Sequence, residues 1–143
     1  MILGRFEPVF GRPTVDGYVT IRSLNVSGVV PFLIDTGADT SLLMPIDSAR
    51  LKIPFDKLTN ERRAYGLGGV AKVFYIPAVL MVSDKKTAYG YRFALDIAEP
   101  SDDLEGMPSL LGRDILKFWH ITLNFPERKF HFEIQMCDEE FSL

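Results

Sequence analysis

The residues best suited to carry chemistry in this chain form one short stretch, Phe32-Leu33-Ile34-Asp35-Thr36-Gly37-Ala38-Asp39-Thr40. Its apolar start predicts a strand that ends by delivering the Asp35 carboxylate into a turn. Gly37 lets the backbone come close to whatever that carboxylate faces, and the Thr36 hydroxyl can both donate and accept hydrogen bonds. A carboxylate held in this way is a candidate general acid or base. The alternative is an ordinary turn, because Asp, Thr and Gly are common turn residues.

The remaining sequence predicts an all-β domain that positions this turn. Apolar residues alternate with polar ones or form short runs, and Gly, Pro, Asn or Asp interrupts them about every ten residues. The run at 29–34 is apolar on both faces, which indicates a strand buried on both sides. The other expected elements are strands at 17–24, 65–82 and 87–97, a hairpin at 121–134, a turn at 25–28, short helices at 45–52 and 113–119, and a frayed end at 137–143.

Length and composition limit the function classes. With 143 residues, 47% hydrophobic and 24% charged, the chain is expected to be one soluble domain over residues 1–143. A net charge of -3 disfavours a nucleic-acid partner, since such modules usually present a basic surface. One cysteine and two histidines are too few for a closed metal site, so neither a metal nor a cofactor is expected. No apolar stretch approaches the about 20 residues of a membrane-spanning helix, and the N-terminus lacks the order of a signal peptide, so we expect a cytoplasmic protein without membrane contact.

The stretch around Asp35 resembles the active-site motif of the aspartic proteases, and the alanine after Gly37 is similar to the retroviral type, the retropepsins. Three further blocks resemble the same family and follow in the family's order. Gly66-Leu67-Gly68-Gly69-Val70-Ala71-Lys72-Val73 resembles the flap, a glycine-tipped hairpin that closes over bound peptide. Residues 110–116 resemble the segment that leads into the family's single helix, and residues 122–125 resemble the last strand of a retropepsin subunit.

This resemblance implies an aspartic endopeptidase with the acid-protease fold, a closed β structure with one short C-terminal helix. The reaction needs two carboxylates that share a proton, one to activate a water and one to polarise the scissile carbonyl. The chain contains a single Asp-Thr-Gly sequence. The second Asp35 therefore has to come from an identical chain, and the active site is expected on the two-fold axis of a homodimer that takes peptide or protein substrates.

The resemblance also implies roles for individual residues. Asp35 is the catalytic acid and base, and Asp39 lines the substrate cleft. Arg113 supports the site by pairing with Asp39, the alternative being an ordinary solvated arginine at the start of a helix. Asp114 is expected to act at the N-terminus of that helix, as a cap or a dipole contact, and not in catalysis. The residues implied for the active-site loop itself are Thr36, Gly37 and Ala38.

Two hairpins complete the implied site. A flap hairpin at about 62–78 binds substrate through its tip, and a C-terminal hairpin at about 120–135 forms part of the subunit interface. The substrate-binding residues of the tip are Gly66, Leu67, Gly68 and Gly69. Residues 126–143 run past the end of a short retroviral subunit and more closely resemble cellular or bacterial retropepsin-like proteins.

Two alternatives remain open from the sequence. The first is a retropepsin-like dimer that binds peptide or protein without cutting it, although a pure binding module has no need of the Asp35 carboxylate. The second is a domain excised from a longer polyprotein, against which the initial Met1 favours a complete small protein.

Overall fold

The structure of the chain is a computed structural model that describes residues 1–66 and 69–143. The strands are β1 (Ile2–Leu3), β2 (Arg5–Phe6), β3 (Pro13–Ile21), β4 (Val26–Ile34), β5 (Leu42–Leu43), β6 (Glu61–Gly66), β7 (Gly69–Ser83), β8 (Thr87–Ala98), β9 (Ser109–Leu111), β10 (Trp119–Asn124), β11 (Lys129–Ile134) and β12 (Glu139–Ser142). The helices are α1 (Pro45–Leu51) and α2 (Arg113–Leu116). The prediction of a mostly β fold is confirmed.

Six of the strands close into a barrel around the core. Neighbours follow the order β8-β5-β9-β4-β3-β7, and β7 pairs with β8 again, which closes the ring. The pleat sends alternate side chains inward, and Phe32, Leu80 and Leu95 are among the largest side chains that are completely buried. The closed ring of backbone hydrogen bonds holds the ends of its strands in place.

Strand β9 lies between β4 and β5. β4 runs parallel to it, with Ile34 opposite Leu111, and β5 runs antiparallel to it, with Leu42 opposite Leu110. Residues 35–41 connect β4 to β5 and therefore cross over β9. The candidate turn is therefore anchored at both ends, because β4 before it and β5 after it both pair with β9.

Strand β4 differs from its prediction in two ways. It begins at Val26, and the preceding turn ends at Asn25, whose φ of 52° lies in the left-handed region that asparagine tolerates. The turn expected at 25–28 is therefore displaced. The prediction of burial on both faces is also wrong, because Val29 is 48% exposed while Val30 is completely buried. A barrel strand has one face inside and one outside, whatever its composition.

The second helix is shorter than expected, because Trp119 begins β10. The Trp119 ring stacks on Phe132 with centroids 4.0 Å apart. Its Nε1 donates a hydrogen bond to the Tyr91 hydroxyl at 2.9 Å. These two partners lie on different strands. Because the indole packs against both of them, residue 119 belongs to a strand and not to the end of the predicted helix.

The C-terminal residues are ordered rather than frayed. Strand β12 pairs antiparallel with the start of β8, with Glu139 opposite Gly90 and Ser142 opposite Thr87. The backbone N–H of Asp138 extends the pairing by donating to the carbonyl of Gly90 at 3.0 Å. The open edge of β8 in this region offers unpaired backbone groups, and a terminal segment of suitable length takes them up.

The C-terminal hairpin is present, formed by β10 and β11, and it forms a separate three-stranded sheet in the order β1-β11-β10. Its inner face contributes Phe130 and Phe132 to the core. Among the described residues, no helix is long and apolar enough to cross a membrane.

Candidate active site

Asp35 follows directly on β4 and is held from both its backbone and its side chain. Its backbone N–H donates to the carbonyl of Leu111 in β9 at 3.0 Å. Its Oδ1 accepts a hydrogen bond from the backbone N–H of Gly37 at 3.0 Å. The residue is partly exposed. The strand therefore presents a carboxylate with a defined orientation at the protein surface.

Gly37 allows this close approach. A Cβ built on Gly37 would lie 3.3 Å from Asp35 Oδ1, tighter than an ordinary contact. The turn is closed by a hydrogen bond from the backbone N–H of Ala38 to the carbonyl of Asp35 at 3.2 Å. Thr36 and Gly37 are exposed at the tip of the turn, and Ala38 is half-buried beneath it.

Arg113, the first residue of α2, binds this loop at several points. Its Nη1 donates to the carbonyl of Thr36 at 2.7 Å, and its backbone N–H donates to the carbonyl of Ala38 at 2.8 Å. Its Nη2 forms an ion pair with the carboxylate of Asp39. The Arg113 side chain is 51% exposed and that of Asp39 86% exposed, so this ion pair adds about 1 kcal/mol or less to stability. Its main effect is on the geometry of the loop.

Sequence reasoning did not identify Ser41, which joins the loop to α2 from beneath. The Ser41 hydroxyl donates to Asp114 Oδ1 at 2.7 Å and accepts from the backbone N–H of Gly112 at 3.0 Å. The backbone N–H of Ser41 donates to Asp114 Oδ2 at 2.9 Å. Asp114 lies in the first turn of α2, and the N-cap position belongs to Gly112, which makes no side-chain cap. The carboxylate of Asp114 reaches across to the loop, away from its own helix.

A second polar cluster that sequence reasoning missed joins the loop to the hairpin of β6 and β7. Asp96 in β8 is 2% exposed. It accepts a hydrogen bond from the hydroxyl of Thr40 at 2.8 Å and one from Nε of Arg62 at 3.0 Å. Arg62 stands in β6, and neither it nor Asp96 belongs to a recognisable motif. Only their partners in three dimensions identify them.

The hairpin expected as the flap is formed by β6 and β7. Its register runs from Glu61 opposite Phe74 to Gly66 opposite Gly69. The expected tip residues Leu67 and Gly68 lie outside the described residues. Within residues 1–66 and 69–143, no group of three or more His, Cys, Asp or Glu side chains lies close enough to hold a metal ion.

Comparison with known proteins identifies the family and agrees with this fold. The family model described as aspartyl protease matches residues 15–115, which include both Asp35 and Arg113. The chain therefore belongs to the aspartyl protease family. None of the curated proteins compared with the chain is a detectable relative.

Solved structures define the fold further. A retropepsin-like aspartic protease from Rickettsia conorii matches with a TM-score of 0.59 and 19% identity, over 91% of this chain and 95% of that one. The EIAV protease in complex with the inhibitor HBY-793 matches with a TM-score of 0.50 and 24% identity, over 78% of this chain and 90% of that one. The retroviral protease-like domain of Ddi1 from Leishmania major gives a TM-score of 0.44 at 16% identity, over 85% and 95% of the two chains. The Rickettsia and EIAV matches show that the fold is retropepsin-like, as the resemblance of the motifs implied.

Proposed function

We propose that this protein is an aspartic endopeptidase that acts as a homodimer, with one Asp35 from each copy in the catalytic pair. The observation that carries the proposal is the Asp35 carboxylate at the end of β4, held by Gly37 and partly exposed. A structural turn can make the same hydrogen bond from Gly37 to Asp35 Oδ1, so the exposure of the carboxylate is the feature that favours chemistry. The turn also lies within residues 15–115, which match the aspartyl protease family model.

Hydrolysis uses the two carboxylates in complementary protonation states. The ionised one takes a proton from a water molecule, and the protonated one donates a hydrogen bond to the scissile carbonyl. The resulting hydroxyl attacks the carbonyl carbon, and the proton passes on to the leaving amine. In each copy the backbone N–H of Gly37 holds Asp35 Oδ1, and Oδ2 is the oxygen that exchanges the proton with water.

The exposure of Asp35 on a single chain supports the proposed homodimer. The Asp35 carboxylate is partly exposed at the surface. Two grooves of about 400 Å³ and 580 Å³ lie on the described surface, and neither is lined by residues 35–41. A second copy across a two-fold axis brings the second carboxylate and turns the open surface into a cleft. The exposed Thr36 then meets its counterpart, so that its hydroxyl can bond across the interface.

The two hairpins take the remaining roles. The hairpin of β6 and β7 acts as the flap, whose backbone binds an extended peptide and excludes water from the pair of carboxylates. In this proposal Gly66, Leu67, Gly68 and Gly69 form the substrate-binding tip, and Asp39 lines the cleft beside Arg113. The C-terminal hairpin carries part of the interface, since β10 is an edge strand with Leu123 37% exposed.

Asp35→Asn tests the proposal, with Asp102→Asn as the control. The amide keeps the shape of the side chain but removes the charge that activates water. Asp102 is exposed in a short helical turn. Against a diverse peptide library, kcat/KM of Asp35→Asn should fall by about 10³-fold or more, as for other essential catalytic groups. Asp102→Asn should match the wild type, and both variants should fold and dimerise.

The same assay separates the alternatives. If Asp35→Asn cleaves as fast as the wild type, Asp35 is not the catalytic group. If the wild type cleaves no peptide in the library but binds some of them as a dimer, the protein is a non-catalytic binding module.

A further inference from the structure

The cluster around Asp96 joins three parts of the fold that are far apart in sequence. Thr40 ends the active-site loop, Arg62 stands in β6 of the hairpin, and Asp96 stands in β8 of the barrel. Arg62 contacts Asp96 through both Nε and Nη2, and its Nη2 also donates to the Thr40 hydroxyl at 3.0 Å. The Thr40 hydroxyl in turn donates to Asp96 Oδ2 at 2.8 Å. Each member of the cluster therefore contacts both of the others.

The Arg62 side chain is 43% exposed, and the burial of its partner Asp96 is what favours keeping this contact. The Asp96 side chain is 3% exposed, and a buried carboxylate is strongly disfavoured unless it is paired and hydrogen-bonded. Its backbone lies between two other strands, opposite Leu42 of β5 and Tyr75 of β7. The two-point contact between a guanidinium and a carboxylate also fixes the direction of the arginine. Asp96 is thus a rigid anchor within the barrel, and Arg62 is bound to it in one orientation.

Other charged residues of the hairpin make weaker contacts. Lys72 pairs with Glu61 at 3.2 Å and with Glu99 at 3.9 Å, but all three side chains are between 39% and 57% exposed. Exposed pairs of this kind hold a hairpin only weakly. Arg63, the neighbour of Arg62 on the same strand, points to the opposite face and is exposed. Among the ion pairs described for this hairpin, the Arg62 contact is therefore the one with a buried partner.

We propose that Arg62 is a positioning residue that holds the β6–β7 hairpin in a fixed position relative to the active-site loop before a peptide binds. This inference rests on the proposed protease function and extends it to a residue outside the family motifs. If the hairpin is already in place, the substrate does not have to order it. Nearly all molecules are then competent to bind, and the apparent affinity for peptide is higher than for a protein whose hairpin is often misplaced. Arg62 therefore acts on substrate binding through the hairpin, without touching the reacting atoms.

The test is a double variant, Arg62→Met with Asp96→Leu. Removing both charges avoids the unpaired buried carboxylate that Arg62→Met alone would leave, and such replacements are often tolerated. Arg63→Met is the matched control, since it removes an equal charge from the adjacent position. Arg62→Lys is the conservative variant, which keeps the charge but loses the two-point contact. Each variant is measured by steady-state peptide cleavage and by hydrogen exchange of the backbone amides in 61–66.

The double variant should raise KM about tenfold, the scale of a lost charged hydrogen bond, while kcat stays within about threefold of the wild type. Amide exchange in 61–66 should accelerate by a similar factor. Arg62→Lys should lie between the wild type and the double variant in both measurements, and Arg63→Met should match the wild type. A uniform loss of stability would accelerate exchange throughout the barrel and would not separate KM from kcat.

Unchanged KM and unchanged exchange in the double variant would overturn the positioning role and leave the proposed protease function intact. Cleavage by neither the wild type nor any variant would instead remove the protease function, and amide exchange would still decide whether Arg62 holds the hairpin. If the double variant does not fold, the comparison of Arg62→Lys with Arg63→Met decides. An equal KM and equal exchange in those two variants would then reject the inference.

Discussion

Gly112→Ala tests how tightly the active-site loop is packed against the start of α2. A Cβ on residue 112 would lie 2.7 Å from the carbonyl carbon and oxygen of Thr40 and 2.9 Å from the carbonyl oxygen of Ala38. All of these are backbone atoms, so no side chain can rotate away to make room. Gly112 has an ordinary negative φ of −96°. Steric contact with the loop, and not backbone conformation, is what requires a glycine.

The size of the effect follows from these distances. Carbon contacts normally lie at about 3.5–4.0 Å, so the loop has to retreat by about 0.8 Å or more to admit a methyl group. Overpacking of this kind costs about 1–3 kcal/mol, with the upper end expected where backbone has to move. A loss of about 3 kcal/mol in a chain of this size lowers the midpoint of thermal unfolding by about 6–12 °C. Because the displaced loop carries Asp35, kcat/KM should also fall, by about tenfold to a hundredfold.

Gly90→Ala is the matched control. A Cβ on Gly90 would lie 3.6 Å from the Cβ of Glu139, an ordinary van der Waals distance, so this variant should unfold within about 2 °C of the wild type. Both variants are compared by thermal unfolding and by peptide cleavage. If Gly112→Ala unfolds at the same temperature as Gly90→Ala, the loop is not held by close packing on α2, and the reasoning is refuted.

Three further predictions concern the supports of the site and its assembly. Ser41→Ala leaves the backbone N–H of Gly112 without its acceptor and removes a hydrogen-bond donor to Asp114. The free energy of unfolding in urea should therefore fall by about 1–3 kcal/mol. An unchanged value would show that these hydrogen bonds of Ser41 do not stabilise the fold. Burial raises the pKa of Tyr91 from 10.0 to about 12, so the unfolded chain loses the phenol proton at a lower pH than the folded chain does. The free energy of unfolding should therefore decrease between pH 10 and 12, and more steeply than in Tyr91→Phe. Parallel decreases in the two proteins would show that Tyr91 is not responsible. Specific activity should fall on dilution below the dissociation constant of the dimer, and a monomer in sedimentation that keeps full activity would exclude the two-chain site.

The strands and the candidate acid are encoded locally. The apolar run at 29–34 followed by Asp-Thr-Gly places Asp35 at the end of a strand because a period of two and a glycine-containing turn are properties of neighbouring residues. The hairpin of β6 and β7 and the hairpin of β10 and β11 have the same origin. Local alternation and turn residues are enough to predict each of them, and the structure contains them with small shifts at their ends.

Local patterns were misleading where a distant partner competes with them. Residue 119 continued a helical spacing, but Trp119 packs on Phe132 and donates to Tyr91, residues that its own neighbours do not determine. The acidic end of the chain has the composition of a free tail, yet it pairs with the open edge of β8. In each case tertiary contacts outweigh the preference of the segment, as short elements have little intrinsic stability of their own.

The sequence by itself determined that one carboxylate, in an Asp-Thr-Gly turn of a β protein, is the candidate for chemistry, because that information lies within nine consecutive residues. Only the tertiary structure decided what holds it. Arg113 reaches Thr36 across 77 residues of sequence, Ser41 reaches Asp114 across 73, and Arg62 reaches Asp96 across 34. Hydrogen bonds of this kind depend on which strands become neighbours in the closed barrel. That arrangement arises because all the strands are buried together. The residues that form the bonds follow no periodic pattern in the sequence, so a local pattern does not predict them.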